Sequence, residues 1–238
     1  MTTMIVTGTG TDVGKTVATA AVAALALAGG RRVAVLKPVQ TGMDGEESVG
    51  DVAEVVRLAG ELTHRELLRL PEPLAPNTAA RRAGRAPLRL QDVVAEAGRL
   101  AATHDLVLIE GAGGVLAWFD DDGTTLADLA AVLRAPILVV TAPGLGTLNA
   151  TALTAEALAR RGLPCPGLVI GSWPADPDLA MRCNLGDLPL VSGLPLLGVL
   201  PAGMGTLPRP RFLAAARDSL TPELGGTLKI GDFAAAWE

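Results

Sequence analysis

Gly14-Lys15-Thr16 is the triplet in this chain with the most definite chemistry. In phosphate-binding loops, a glycine, four residues and Gly-Lys-Ser/Thr let successive backbone N–H groups surround phosphate oxygens. The lysine reaches the β- and γ-phosphates and the hydroxyl goes to Mg2+. Here the stretch reads Gly8-Thr9-Gly10-Thr11-Asp12-Val13-Gly14-Lys15-Thr16, one residue longer between its outer glycines than that formula. The plain alternative is a glycine-rich turn with a surface lysine. An apolar run before it, a helical pattern after it and an intact Gly-Lys-Thr favour phosphate binding, with Asp12, Val13, Gly14, Lys15, Thr16 and Val17 as the nucleotide contacts.

Further chemistry-bearing residues follow other apolar runs. Lys37, in Lys37-Pro38-Val39-Gln40-Thr41-Gly42, would bring a second ammonium to the same crevice, where it could offset charge developing in phosphoryl transfer. Thr41 could hydrogen-bond a substrate. Glu110, before Gly111-Ala112-Gly113-Gly114, puts a carboxylate where nucleotide-binding folds place their Mg2+ partner, although most use Asp. Asp51 opens a helical segment with Glu54 three residues on, which on its own reads as a helix cap rather than a ligand. Pro143-Gly144-Leu145-Gly146-Thr147-Leu148-Asn149 is a glycine-rich turn into a helix. A carboxylate-binding N-terminus and a plain Asn or Thr cap are equally good readings of it.

The elements that must hold these residues alternate along the chain. "MIVTG", "RRVAVLKPV", "DLVLIEG", "APILVVTA", "CPGLVIGSW" and "PLLGVLPAG" are continuous apolar runs, as strands buried on both faces read. Helical patterns separate them: Lys15 to Ala28, "DVAEVVRLAG", "PNTAARRAG", "LQDVVAEAGRLAATH", "TLADLAAVLR", "TLNATALTAEALARRG" and "DLAMRCNLGDL", with "DFAAAWE" as a helical tail. No linker or repeat interrupts them. The expectation is one α/β domain over residues 1–238, a doubly wound, mostly parallel sheet of the P-loop NTPase type. Ligands of such sheets sit outside the carboxyl ends of the strands.

Composition narrows the function classes. Net charge is −5, aromatics are 3% and tyrosine is absent, so neither a basic nucleic-acid surface nor a base-stacking platform is expected. Apolar residues reach 49%, but the longest runs fall short of the ~20 residues that span a bilayer. Met1-Thr2-Thr3 leads into an apolar run with no basic segment before it, so no secretory signal is expected. Cys165 and Cys183 suggest a reducing cytoplasm and His64 and His104 lack zinc-ligand spacing.

The set of motifs, in this order and over nearly the whole chain, resembles the dethiobiotin synthetases. "VTGTGTDVGKT" looks like their longer phosphate loop, "KPVQTG" like their lysine motif and "GDVAEVVRLAG" like the segment with their metal aspartate. "PEPLAPNTAA", "VLIEGAGGVL", "LGTLNATALTAEAL", "GLVIGSWP" and "LLGVLPAG" match the rest. The resemblance implies ring closure of 7,8-diaminopelargonate with CO2 and ATP through a carbamate and a carbamic-phosphoric anhydride, in a cytoplasmic homodimer. It implies Lys37, Lys15 and Thr11 as catalytic residues and Thr16, Asp51 and Glu110 as Mg2+ ligands, which moves Asp51 from cap to ligand. It adds Gly111, Gly113, Gly171, Ser172 and Pro201 to the nucleotide contacts. Thr41, Gly111, Ala112, Gly113, Gly146, Thr147, Leu148 and Asn149 would meet the substrate, the last four across a dimer interface.

Departures from the family pattern set further expectations. Gly171-Ser172 stands where the family often has Asn-Asp, and that Asn reads adenine, so tolerance of other nucleoside triphosphates is expected. Pro143-Gly144 reads as a one-residue insertion and Ala150 replaces a common His. Two other kinds of protein on this fold fit less well. A corrinoid amide ligase needs a glutaminase domain that has no room here. A partition or cell-division-site switch ATPase carries a signature lysine where this chain has Gly10.

Overall fold

Consecutive apolar residues in an extended chain point to opposite sides, so a run such as Met4-Ile5-Val6 is stable only with packing on both faces. The computed structural model, which describes residues 2–43 and 49–237, meets that requirement with a parallel sheet between two helical layers. Its strands are β1 (Thr2–Gly8), β2 (Val33–Gln40), β3 (Thr63–Arg69), β4 (Leu106–Gly114), β5 (Ile137–Thr141), β6 (Leu168–Trp173) and β7 (Leu196–Pro201). Its helices are α1 (Lys15–Ala28), α2 (Asp51–Ala59), α3 (Pro76–Arg82), α4 (Leu90–Ala101), α5 (Leu126–Leu133), α6 (Thr147–Arg160), α7 (Leu179–Ser192), α8 (Arg209–Ser219) and α9 (Ile230–Ala235). The seven strands run in the order β3-β2-β4-β1-β5-β6-β7, and every strand pairing is parallel.

The two cores divide by the period of the strands. Ile5, Leu36, Ile109, Val139 and Ile170 pack on one face with α4, α5 and α7. Their neighbours Val6, Val35, Leu108, Val140 and Val169 pack on the other with α1, α2 and α8. Most of α1 is buried, and its alanines (Ala18, Ala20, Ala21, Ala23, Ala24) let it lie close to the sheet and to its neighbours. These alanines are packing material within the helical layer.

Three elements differ from the expectation. β3 is an added strand: Thr63, His64, Arg65 and Glu66 are polar because it lies at the sheet edge and pairs only with β2. α8 is an added helix whose arginine-rich sequence buries a narrow stripe, Phe212, Ala216 and Ser219, against the second core. α7 continues past the expected end at Leu188, through Pro189 to Ser192. The helical tail is present as α9, fixed by a three-ring cluster in which Phe233 and Trp237 each approach Trp173 of β6 at 5.8 Å between centroids.

Candidate active site at the carboxyl ends of the strands

The crevice begins where two strands part. β2 pairs with β4 as far as Leu36 and Ile109, and the next residues on the two strands are Lys37 and Glu110. Pro38, with no N–H to give to a ladder, follows just where that pairing has ended. Lys37 is 2% exposed, Glu110 1%, and the ammonium donates to Glu110 Oε1 at 2.9 Å and to the Gly111 carbonyl at 3.2 Å. Asp51 closes the other side, its Oδ2 2.5 Å from Lys37 Nζ.

Asp51 reaches that position by a route the capping pattern does not suggest. The N-cap of α2 is Gly50, no side chain caps the helix, and Asp51 is its first residue. Gln40, at the end of β2, instead accepts the Asp51 N–H at 3.0 Å with its side-chain carbonyl. Gln40 is itself buried, and its amide donates to the Thr41 carbonyl at 3.2 Å. The Asp51 carboxylate is thereby freed from capping and turned toward Lys37.

Burial and charge oppose each other at these groups. Burial pulls the Lys37 pKa down, but Glu110 and Asp51 outweigh it and the net shift is upward, so Lys37 stays an ammonium. Burial would raise the Asp51 pKa, yet the charge and hydrogen bond of Lys37 hold it below the usual value. Lys15 shifts the other way: burial lowers it and Lys37 adds to that, against the pull of Glu110, Asp51 and Asp12.

The phosphate loop faces this trio from β1. Gly14 has φ 94° and caps α1, a conformation glycine takes without strain. Asp12 also has positive φ, at 58°, which Asp tolerates better than most residues. Lys15 Nζ folds back onto the Gly10 carbonyl at 2.8 Å, and the Thr16 hydroxyl donates to Glu110 Oε1 at 2.9 Å. The other Glu110 oxygen, Oε2, is buried with no hydrogen-bond partner.

Apart from Glu110, which is buried and not among the lining residues, these groups open onto a cleft of about 900 Å³. Thr11, Asp12, Gly14, Lys15, Thr16, Val17, Lys37, Thr41, Asp51, Ala112 and Gly113 all line it. Its far wall, Pro73, Leu74, Ala75, Pro76 and Ala117, together with Gln40, was not singled out from the sequence as lining a site. "PEPLAPNTAA" carried the signal for most of that wall, because two prolines and small residues before a helix make a rigid rim. Gly171 lies elsewhere, under the loop: a Cβ on it would collide with the Val13 carbonyl, and one on Gly14 would come within 2.5 Å of the Gly171 carbonyl oxygen. Ser172 and Pro201 are exposed at the ends of β6 and β7. Gly146, Thr147, Leu148 and Asn149 are not among the cleft-lining residues. The Asn or Thr cap considered for α6 is not formed, since its N-cap is Gly146 at φ 92° with no side-chain cap.

Comparison with known proteins places this arrangement. A family model described as an AAA domain matches residues 2–205. The ATP-dependent dethiobiotin synthetase of Streptomyces coelicolor is 62% identical over 233 residues, covering 98% of each chain. That of Frankia casuarinae is 59% identical over 238 residues, covering 100% of each. The chain belongs to the ATP-dependent dethiobiotin synthetase family. Members of this family are ATP-dependent ligases of biotin biosynthesis, and the resemblance read from the motifs is thus supported over the whole chain.

Solved structures similar to this dethiobiotin synthetase family member show its fold. A ParA family ATPase from Chlorobium tepidum matches at TM-score 0.57 and 15% identity, covering 98% of each chain. The cell-division protein MinD of Aquifex aeolicus matches at 0.55 and 13%, covering 96% of this chain and 99% of that one. At such identities the likeness is one of architecture, the parallel sheet and phosphate loop of P-loop ATPases. Among the described residues no helix is long and apolar enough to cross a membrane.

Proposed function

We infer that this chain closes the ureido ring of dethiobiotin from 7,8-diaminopelargonate, CO2 and a nucleoside triphosphate. One amine captures CO2 as a carbamate. A carbamate oxygen attacks the γ-phosphorus and the bond to the nucleoside diphosphate breaks, giving a carbamic-phosphoric anhydride. The second amine then attacks the carbonyl carbon, the C–O bond to phosphate breaks, and inorganic phosphate leaves with the ring closed. No enzyme nucleophile is needed; positioning and charge stabilisation suffice.

The observation that carries this reading is the buried ammonium of Lys37 between Asp51 and Glu110, facing the phosphate loop across one cleft. In the proposed roles, the loop amides and Lys15 hold the β- and γ-phosphates, and Lys37 offsets charge on the carbamate and the transferring phosphoryl group. Thr11, Asp12, Thr41, Ala112 and Gly113 shape the space for the diamine. Thr16, Asp51 and Glu110 fit Mg2+: two carboxylates and a hydroxyl are hard oxygen donors, and the partnerless Glu110 Oε2 is a buried acceptor that a cation would satisfy. When bound, that ion supplies neutralisation of phosphate charge.

The nucleotide base would lie at Gly171, Ser172 and Pro201. Gly171 offers no side chain to read a base edge, which supports acceptance of nucleoside triphosphates besides ATP. We further read the protein as a single domain over 1–238, forming a cytoplasmic homodimer. In that dimer Gly146 to Asn149 of one protomer would complete the partner's cleft at the substrate carboxylate. Leu145 is 93% exposed and Leu153 58%, an apolar surface beside that helix start that a second copy would cover.

The reading is tested by phosphate release and dethiobiotin formation with each nucleotide, with and without diaminopelargonate and bicarbonate. Phosphate release that the diamine stimulates, in step with dethiobiotin, is the expected result. Nucleotide hydrolysis indifferent to the diamine would overturn it.

A further inference from the structure

A chain of threonine hydroxyls joins the phosphate loop to the start of α6. Thr141 ends β5 and is fully buried; Thr147 and Thr151, in the first turns of α6, are 5% and 0% exposed. The Thr141 hydroxyl lies 2.7 Å from that of Thr147 and 2.8 Å from that of Thr151, and the Thr9 hydroxyl of the loop donates to it at 3.4 Å. Thr147 also donates to the Ala142 carbonyl at 2.6 Å. The Thr9 N–H is bonded in turn to the Val140 carbonyl at 2.9 Å.

Each hydroxyl has one proton to give and two lone pairs to receive. The Ala142 carbonyl lies 2.6 Å from the Thr147 hydroxyl and 3.5 Å from that of Thr141, so the short contact takes the Thr147 proton and Thr141 donates to Thr147 at 2.7 Å. With its proton spent, Thr141 receives from Thr9 and Thr151. Its one donor and two acceptor sites are then all used, and the order is directed: Thr9 to Thr141 to Thr147 to the Ala142 carbonyl. Asn184 of α7, 5% exposed, holds the intervening loop by donating to the Pro143 carbonyl at 2.7 Å. The loop before α6 is thus tied at both ends, and the member of the hydroxyl chain most open to solvent is Thr9, in the phosphate loop.

We propose that Thr141 is a positioning residue that sets the first turn of α6 according to the state of the phosphate loop, so that nucleotide binding orders the substrate-carboxylate end of the site. The significance for catalysis rests on the functional reading above. If Gly146 to Asn149 serve the partner's cleft, nucleotide on one protomer prepares diamine binding on the other.

The substitution Thr141→Val separates this role from folding. Valine keeps the β-branched shape, Thr147 keeps Ala142, half-buried Thr9 can turn to water, and Thr151 can donate to its own helix backbone. The measurement is amide hydrogen exchange over residues 144–153, with and without Mg2+ and a non-hydrolysable ATP analogue. In the native protein the analogue slows exchange there about fivefold or more, in the range of ordinary site-to-site coupling. In Thr141→Val that response falls below about twofold while the analogue still binds, and Thr141→Ser restores it. An unresponsive α6 in the native protein, or an undiminished response in Thr141→Val, overturns the proposal. Calorimetry with the diamine adds a separate arm: an intact exchange response with no diamine binding upholds the coupling and sinks the functional reading instead.

Discussion

The face of the sheet at the carboxyl ends of its strands has two unlike halves. Beyond β2 and β4 it is ionic: Lys37, Asp51 and Glu110 meet within hydrogen-bond distance, two of them almost fully buried. Beyond β5 and β6 the corresponding positions carry Thr141, Thr147, Gly171 and Ser172, three hydroxyls and a glycine with no ionised side chain among them. Charges taken out of water are costly and hold only where each has its partner, so they are placed where charge must be stabilised during reaction. Hydroxyls and bare backbone cost far less and fix geometry. In the proposed reaction, phosphoryl chemistry belongs to the first half and placement of loop, base and substrate end to the second.

The largest effects belong to the ionic half. Lys37→Ala is expected to lower turnover on the order of 10³-fold, a scale seen when a preorganised transition-state stabiliser is lost. It also strands two carboxylates, so the melting transition should fall by the equivalent of about 3–5 kcal/mol, partly recovered by Mg2+. Steady-state kinetics and thermal melts across Mg2+ concentrations check both, and near-native turnover would erase the distinction between the halves.

Gln40→Ala comes next. Gln40 touches Asp51 only through the backbone N–H, so losing it should loosen the carboxylate and cut turnover roughly tenfold, comparable to misplacing a reacting group. The Mg2+ requirement should rise with it, and Gln40→Glu, which keeps the acceptor, should be milder.

Gly171 sharpens the contrast from the other side. The phosphate loop rests on this glycine, and a side chain there meets the Val13 carbonyl. Gly171→Asn should therefore weaken every nucleoside triphosphate by about tenfold, ~1.4 kcal/mol, rather than create a preference for adenine. Competition binding with ATP, CTP and GTP reads this directly; an ATP-only gain would show that the loop yields to the side chain.

The smallest expected effect is a pH dependence. Lys15 is held below the ordinary lysine value by burial and by Lys37, so it loses its proton at lower pH than an exposed lysine. Nucleotide affinity should then fall as pH rises through the folded Lys15 pKa, since only the ammonium form attracts phosphate. Lys37, shifted upward, should still be charged there. Lys15→Arg should flatten the profile.

The ionic half was largely legible in the sequence because its parts are rare and each ends an apolar run: a Gly-Lys-Thr after β1, a lysine in β2, a glutamate in β4. Asp51 was legible only in combination, since alone it resembles a helix cap, and the true cap is Gly50. The role of Gln40 left no signal, because a side chain accepting from a helix's first N–H depends on where β2 ends relative to α2. The hydroxyl half was least legible. Threonine is common in strands and helices alike, and Thr9, Thr141 and Thr151 become a chain only once β1 and β5 lie side by side. Edge strand β3 and helix α8 were missed for a related reason: each buries one narrow stripe, and polar residues dominate the rest.

In the proposed reaction the ionic half makes a nucleotide loop into a site for carbamate phosphorylation. Oxygen tracing tests it most directly. With 18O-labelled bicarbonate, diaminopelargonate and MgATP, followed by mass analysis of the released phosphate before label washes out of CO2, one 18O should appear in each phosphate, carried over from the carbamate. Phosphate bearing oxygen from water alone would show that the protein hydrolyses nucleotide without phosphorylating a carbamate, and would contradict the account.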